Sequence, residues 1–262
     1  MAVKNGELCS RTLPVSALTE TEIDQMWSLF GDYYADVTRE RFLQDLSNKQ
    51  YLILLLDRGD SSVQGFSTIQ VFEREVLGKN FISVYSGDTL IHRDYWGQTA
   101  LQKAFFVFLM KLKLKNPLTT VWWFLISKGY KTYMLMARGC PEYWPRHDKA
   151  TPVWPAAVIN ALATEKFGDD WKPALGVIQF ADPAGRLKEG VAPIYPDLLN
   201  VDEIRYFNER NPGHAKGDEL CCVGRIDAKL AAYYIGKLSV KMWRRYSRRL
   251  KHTLQPLPAS AE

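Results

Sequence analysis

The chain has 262 residues, 47% hydrophobic and 24% charged, with a net charge of +5, so it can bury a sizeable core without disulfides or metal ions. Its cysteines, Cys9, Cys140, Cys221 and Cys222, form no CxxC pair and no histidine stands at zinc-ligand spacing, which points away from a metal or disulfide scaffold and predicts reduced, buried thiols. Met1–Arg11 holds no apolar core segment and the longest apolar run, Ala104–Met110, is far short of the ~20 residues of a membrane span, so the expectation is a soluble, cytoplasmic protein.

In chain order, a helix is predicted over Ser16–Phe30, with Thr19 or Thr21 as cap, acids in its first turn and a stripe of Ile23, Met26, Trp27 and Phe30. A second spans Thr38–Ser47. The apolar run Tyr51–Leu56 reads as a buried strand, and Arg58–Ser61 as a turn. Gln64–Glu73 and Phe81–Ile91 follow as strands, then a helix over Thr99–Lys113 ended by Asn116-Pro117, a strand over Thr119–Ile126 and a helix over Lys128–Arg138. Three successive strands and a crossover helix to a fourth predict an α/β (mixed α+β) fold with a mixed sheet flanked by helices. Beyond Cys140 the prolines at 141, 145, 152 and 155 mark an irregular connection. It is followed by a helix over Val158–Phe167, a strand over Gly176–Phe180, a helix over Val201–Glu209, a loop at Asn211–His214, a strand over Glu219–Ile226 and a helix over Asp227–His252.

The segment Ser83–Leu101 has the chemistry of an anion site: a strand, a turn containing Gly97, then an apolar helix. The first turn of a helix offers unpaired N–H groups and partial positive charge, and a glycine lets a phosphate approach the backbone. With the two leading helices and the hairpin before it, this segment resembles the acyl-donor site of the GNAT (N-acetyltransferase-like) superfamily. There a strand feeds a Gln/Arg-x-x-Gly-x-Gly/Ala loop that grips the pyrophosphate of coenzyme A. Trp96-Gly97-Gln98-Thr99-Ala100-Leu101 occupies that loop, with Trp96 in place of Gln or Arg and Thr99 and Leu101 in place of glycines.

The resemblance covers about residues 15–140. It implies a GNAT-like acyl-donor-binding core there; the remainder is expected to form a C-terminal extension over 141–254 that completes the sheet and the acceptor side, and a disordered tail at 255–262. It further implies an acyltransferase, an N-acyltransferase in the first instance, with an acyl-CoA or acyl-carrier-protein thioester as donor, no metal, and a small-molecule amine or hydroxyl as acceptor. The implied donor site is Ile91, Trp96, Gly97, Gln98, Thr99 and Ala100. Aminolysis of a thioester needs a base, an oxyanion donor and an acid for the departing thiolate. The resemblance maps the oxyanion donor to a peptide N–H near Leu90–His92 and the acid to a tyrosine of the following helix, Tyr133 or Tyr130. Asp88 and His92, which flank the critical strand, are the candidate bases, and Lys128 and Lys131 candidate phosphate contacts.

Two further groupings stand out: Asn211–Glu219, with His214 and Glu219, and Arg146-His147-Asp148. Either suits substrate recognition or a solvated loop. Seven basic residues and no acid lie between Lys237 and Lys251, and without them the net charge of +5 becomes −2. That basic helix suits an acidic acyl-carrier protein or an anionic membrane surface better than nucleic acid. The alternatives to an enzyme are a ligand- or partner-binding protein on the same fold and a peripheral membrane protein using that helix.

Overall fold

The computed structural model describes residues 6–181, 185–234 and 236. An edge strand, β1 (Leu8–Pro14), leads into α1 (Glu20–Tyr33), the short β2 (Tyr34–Ala35) and α2 (Arg39–Ser47). Three strands follow, β3 (Tyr51–Asp57), β4 (Val63–Val76) and β5 (Lys79–Ile91), then α3 (Ala100–Lys115), β6 (Thr120–Ser127) and α4 (Tyr130–Gly139). The later part supplies β7 (Tyr143–Trp144), α5 (Val153–Phe167), β8 (Trp171–Lys172), β9 (Val177–Ile178), β10 (Arg186–Leu187), α6 (Asp202–Arg210) and β11 (Glu219–Ile226).

Local chemistry sets the boundaries. Thr19 caps α1 through a reciprocal capping box: its hydroxyl accepts from the Glu22 N–H at 3.2 Å, while its own N–H donates to the Glu22 carboxylate at 3.0 Å. The β4–β5 hairpin turns on Leu77 and Gly78, both at positive φ (51° and 70°), the backbone that matches the twist of a two-residue connection. That tight turn lets β4 run to Val76, beyond the Glu73 limit predicted from alternation. The edge strand β1 was not expected either: only Leu8 of it is buried, so it carries no apolar alternation to read.

The main sheet runs β1-β3-β4-β5-β6-β11-β9-β8, with β7 also on β11. Within it β5 and β6 are parallel and the other pairs antiparallel. It is a mixed sheet flanked by helices. Alternation divides its two faces. On one, Leu52, Leu54, Phe66 and Leu90 pack against Met26, Phe30 and Phe42 of α1 and α2, and Trp122, Phe124 and Val223 pack against Val158 and Leu162 of α5. On the other, Phe105 of α3 meets Trp123 of β6 at 4.8 Å between ring centroids. Each such aromatic or aliphatic side chain removed from water contributes about 1.5–3 kcal/mol.

One compact unit reaches to Ile226 and a second begins at Asp227. Because β11 lies between β6 and β9, residues on both sides of position 141 share one sheet. In the second unit residues 228–234 are helical, and Asp227 accepts the N–H groups of Lys229 and Leu230 at 2.9 and 3.2 Å. The basic segment Lys237–Lys251 and the expected tail at 255–262 lie outside the described residues. All four cysteines are free, and Cys140, Cys221 and Cys222 are buried.

Candidate active site

The site begins with a break in the only parallel pairing among the described strands. β5 and β6 pair in register from Phe81–Thr120 to Ser86–Leu125 and then part. Past that point β5 continues on β4 as far as Ile91, and β6 continues on β11, where Ser127 faces Leu220. A β-bulge on β5 accompanies the parting: Ser67 of β4 faces Thr89 while Ile69 faces Ser86, so Gly87 and Asp88 together oppose Thr68. Gly87 is required there, because a Cβ would stand 2.6 Å from the Thr68 hydroxyl and 2.9 Å from Lys49 Cε. Beyond the bulge the His92 N–H donates to Gln64 of β4, so by alternation the N–H and C=O groups of Thr89 and Ile91 face the gap.

A cavity of about 400 Å³ occupies this gap. Its walls come from both sheet faces. Trp96–Thr99, Leu101 and Gln102 line it from the start of α3, and Lys131, Thr132 and Leu135 from α4. Tyr33, Tyr34, Tyr85, Leu187 and Val191 line it from the α1 side, with Asp88, Lys128 and Glu219 between. The start of α3 is open. Thr99 makes no side-chain capping bond, and the first helical bond runs from the Lys103 N–H to the Thr99 carbonyl. The N–H groups of the first turn therefore lack helix acceptors. Gly97 sits at φ +90° with open space where a Cβ would be. The buried Gln102 Oε1, beside these groups, has no hydrogen-bond partner.

The charged groups cluster where the strands part. Burial pushes the Asp88 carboxyl up to about 7, helped by nearby Asp45 and opposed by Lys49 and Lys128. Glu219 is likewise raised by burial and forms an ion pair with Lys128 at 3.3 Å. Burial raises the hydroxyls of Tyr34 and Tyr85, which remain protonated O–H donors. Lys166 stands 4.3 Å from the Tyr85 ring centroid, and burial lowers its ammonium to about 8.

The predicted residues divide accordingly. Asp88, Ile91, Trp96, Gly97, Gln98 and Thr99 line the cavity. Ala100 opens α3 beside it. The Trp96 indole N–H donates to the Ile91 carbonyl at 2.8 Å, and its ring lies 3.6 Å from Lys131 Nζ. The Gln98 side chain is committed elsewhere: it accepts from the Leu8 N–H at 3.0 Å and donates to the Gly6 carbonyl at 2.8 Å, tying down the N-terminal strand.

Two expected catalytic residues do not belong to the cavity. Tyr133 is fully buried, donates to the Pro145 carbonyl at 3.1 Å and packs on Phe207. Helical phase turns it away, and α4 presents Lys131, Thr132 and Leu135 instead. His92 lies past the end of β5, its Nδ1 accepting from the Asp94 N–H and its ring near Tyr33 and Tyr95. Tyr130 is also absent from the lining. Of the loop at 211–219, Glu219 enters the cavity, whereas His214 packs against Phe207 and burial lowers its imidazole. Arg146 and Asp148 pair with each other in their own turn. Tyr34 was not foreseen as a site residue; the glycine inside β5 was the available signal for a bulge. Among the described residues no group of three or more His, Cys, Asp or Glu could hold a metal ion.

No protein-family model matches the chain, and no curated protein is similar to it in sequence. Solved structures similar to it include Arabidopsis thaliana NAA60 in complex with a bisubstrate analogue (17% identity over 52% of this chain and 87% of that one, TM-score 0.38). An aminoglycoside acetyltransferase from an uncultured soil metagenomic sample, in complex with trehalose, matches at 18% identity over 51% and 86%, TM-score 0.36. The GNAT family N-acetyltransferase YhbS of Escherichia coli in complex with CoA matches at 12% identity over 52% and 73%, TM-score 0.36.

Proposed function

We propose that the protein transfers an acyl group from a phosphate-bearing thioester, acyl-CoA or an acyl-carrier protein, to the amine of a small molecule. One observation carries this reading: β5 and β6 part after Ser86 and Leu125 into a cavity that reaches the uncapped start of α3. The first-turn N–H groups of α3 suit the donor's phosphate, and Gly97 leaves room for it. The gap-facing carbonyls of Thr89 and Ile91 suit the amide N–H groups of the arm that carries the thioester, as an incoming strand would.

The acceptor enters from the side of Tyr34 and Tyr85. Asp88 takes the proton from its ammonium, a role for which a carboxyl near 7 is well matched. The freed amine attacks the thioester carbon, the gap-facing N–H of Ile91 holds the developing oxyanion, and the C–S bond breaks. The thiolate leaves along the α3 side and takes up the second proton, which the acylated nitrogen sheds as the intermediate collapses, so that one proton ends on Asp88 and one on the thiol. Lys128 and Glu219 hold charge balance around Asp88.

Thiol release from a panel of acyl-CoA and acyl-carrier thioesters, with and without amines, tests the reading. Amine-dependent thiol release that Asp88→Asn abolishes supports it. Donor binding without turnover against any amine would move the assignment to a ligand-binding protein on the same architecture.

A further inference from the structure

The outer face of α3 departs from the usual polar surface of a helix. Leu101, Phe105 and Leu109 point inward. Opposite them, at helical spacing, stand Lys103, Val107, Met110 and Leu114, with Val107 47% and Leu114 75% exposed. The turn after the helix adds Leu118, 98% exposed. That turn is built rather than frayed: Lys113 Nζ donates to the carbonyls of Thr119 at 2.8 Å and Pro117 at 3.1 Å, and Asn116 Nδ2 donates to the Leu112 carbonyl at 3.0 Å. A fully exposed leucine is thus held in a defined place, in line with two other exposed aliphatic side chains.

The charge within the ridge's own stretch of chain has one sign. Lys103, Lys111 and Lys115 are exposed on α3, and no Asp or Glu occurs anywhere between Tyr95 and Pro141. We infer that the α3 ridge is a docking surface for a bilayer containing anionic lipid. A convex helix with a line of aliphatic tips sinks those tips below the headgroups, while long lysine side chains reach back to the phosphates. An exposed apolar line of this kind otherwise invites association. The inference does not depend on the transfer chemistry, because no ridge residue belongs to the cavity.

Co-sedimentation of the full chain with vesicles tests it, comparing phosphatidylcholine alone with an equal mixture of phosphatidylcholine and phosphatidylglycerol. The full chain is expected to bind the anionic vesicles and leave the neutral ones. The triple variant Val107→Ser, Leu114→Ser, Leu118→Ser and, separately, Lys103→Gln, Lys111→Gln, Lys115→Gln are each expected to weaken that binding by about tenfold or more. All six positions are exposed, so circular dichroism and melting temperature should match the parent. Undiminished binding by both variants would overturn the inference, as would no binding by the parent. Self-association of the parent that the serine variant abolishes, without vesicle binding, would assign the ridge to a second copy of the chain and overturn it as well.

Discussion

The Trp96 indole N–H donates to the Ile91 carbonyl across 2.8 Å, so a side chain from the loop before α3 occupies a backbone acceptor that faces the gap between β5 and β6. A donor arm that pairs with this strand edge must displace that indole. Trp96→Phe keeps an aromatic ring beneath Lys131 and removes the competing hydrogen bond. A net hydrogen bond is worth about 0.5–1.5 kcal/mol. The variant is therefore expected to bind CoA about two- to tenfold more tightly while losing a comparable amount of unfolding free energy. Calorimetric titration and urea unfolding check the two halves independently.

Asp88 gives the pH prediction. Its folded carboxyl is raised to about 7 from 3.8, so the folded state holds a proton that the unfolded state has released. That contribution is fully present below the unfolded value and is lost as pH rises through the folded one. The parent should therefore melt lower at pH about 8 than at pH about 5 relative to Asp88→Asn, whose asparagine does not titrate. The same carboxyl as base predicts activity that rises through pH about 7, with Asp88→Asn lowering kcat by about 10²–10⁴-fold. Calorimetric melting of both proteins across that range and a pH–rate profile are the measurements.

Gly87 tests the bulge. Gly87→Ala places a methyl group 2.6 Å from the hydroxyl of the buried Thr68 and 2.9 Å from Lys49 Cε. Overpacking of this kind costs about 1–3 kcal/mol. Thr68→Ala removes the obstructing hydroxyl, which is buried without a hydrogen-bond partner. The double variant should therefore recover most of the loss, and a double-mutant cycle by urea unfolding reads the coupling directly.

Tyr133 separates position from role. It was the expected acid by resemblance, yet its hydroxyl is spent on the Pro145 carbonyl away from the cavity. Tyr133→Phe should cost about 1 kcal/mol in unfolding free energy and leave kcat unchanged. A large fall in kcat with unchanged stability would return the residue to the chemistry.

Much of this architecture was legible because its elements are strongly patterned. The run Tyr51–Leu56, the helix opening after Gly97 and the crossover from β5 to β6 all follow from local periodicity and punctuation. The cavity lining was legible only where it is local to the strand–turn–helix segment, which is why Asp88 and the loop at 96–100 could be placed together from the sequence. Glu219 and Lys128 were noticed separately, but nothing in the sequence joins residues so far apart until β11 is inserted beside β6. Tyr34 carries no motif, and its place on the cavity wall depends on a bulge that only Gly87 hints at. Tyr133 lies off the cavity: a resemblance fixes which helix carries a residue more firmly than it fixes the helical phase.

The central claim is that the parted strands and the open start of α3 receive the donor. Backbone amide NMR of the labelled full chain during titration with CoA tests it most directly. The account predicts saturable shifts at the N–H groups of Thr89, Ile91, Ala100, Leu101 and Gln102, which follow one binding curve. Saturable binding that leaves those amides unmoved, with shifts confined to another part of the molecule, would contradict it.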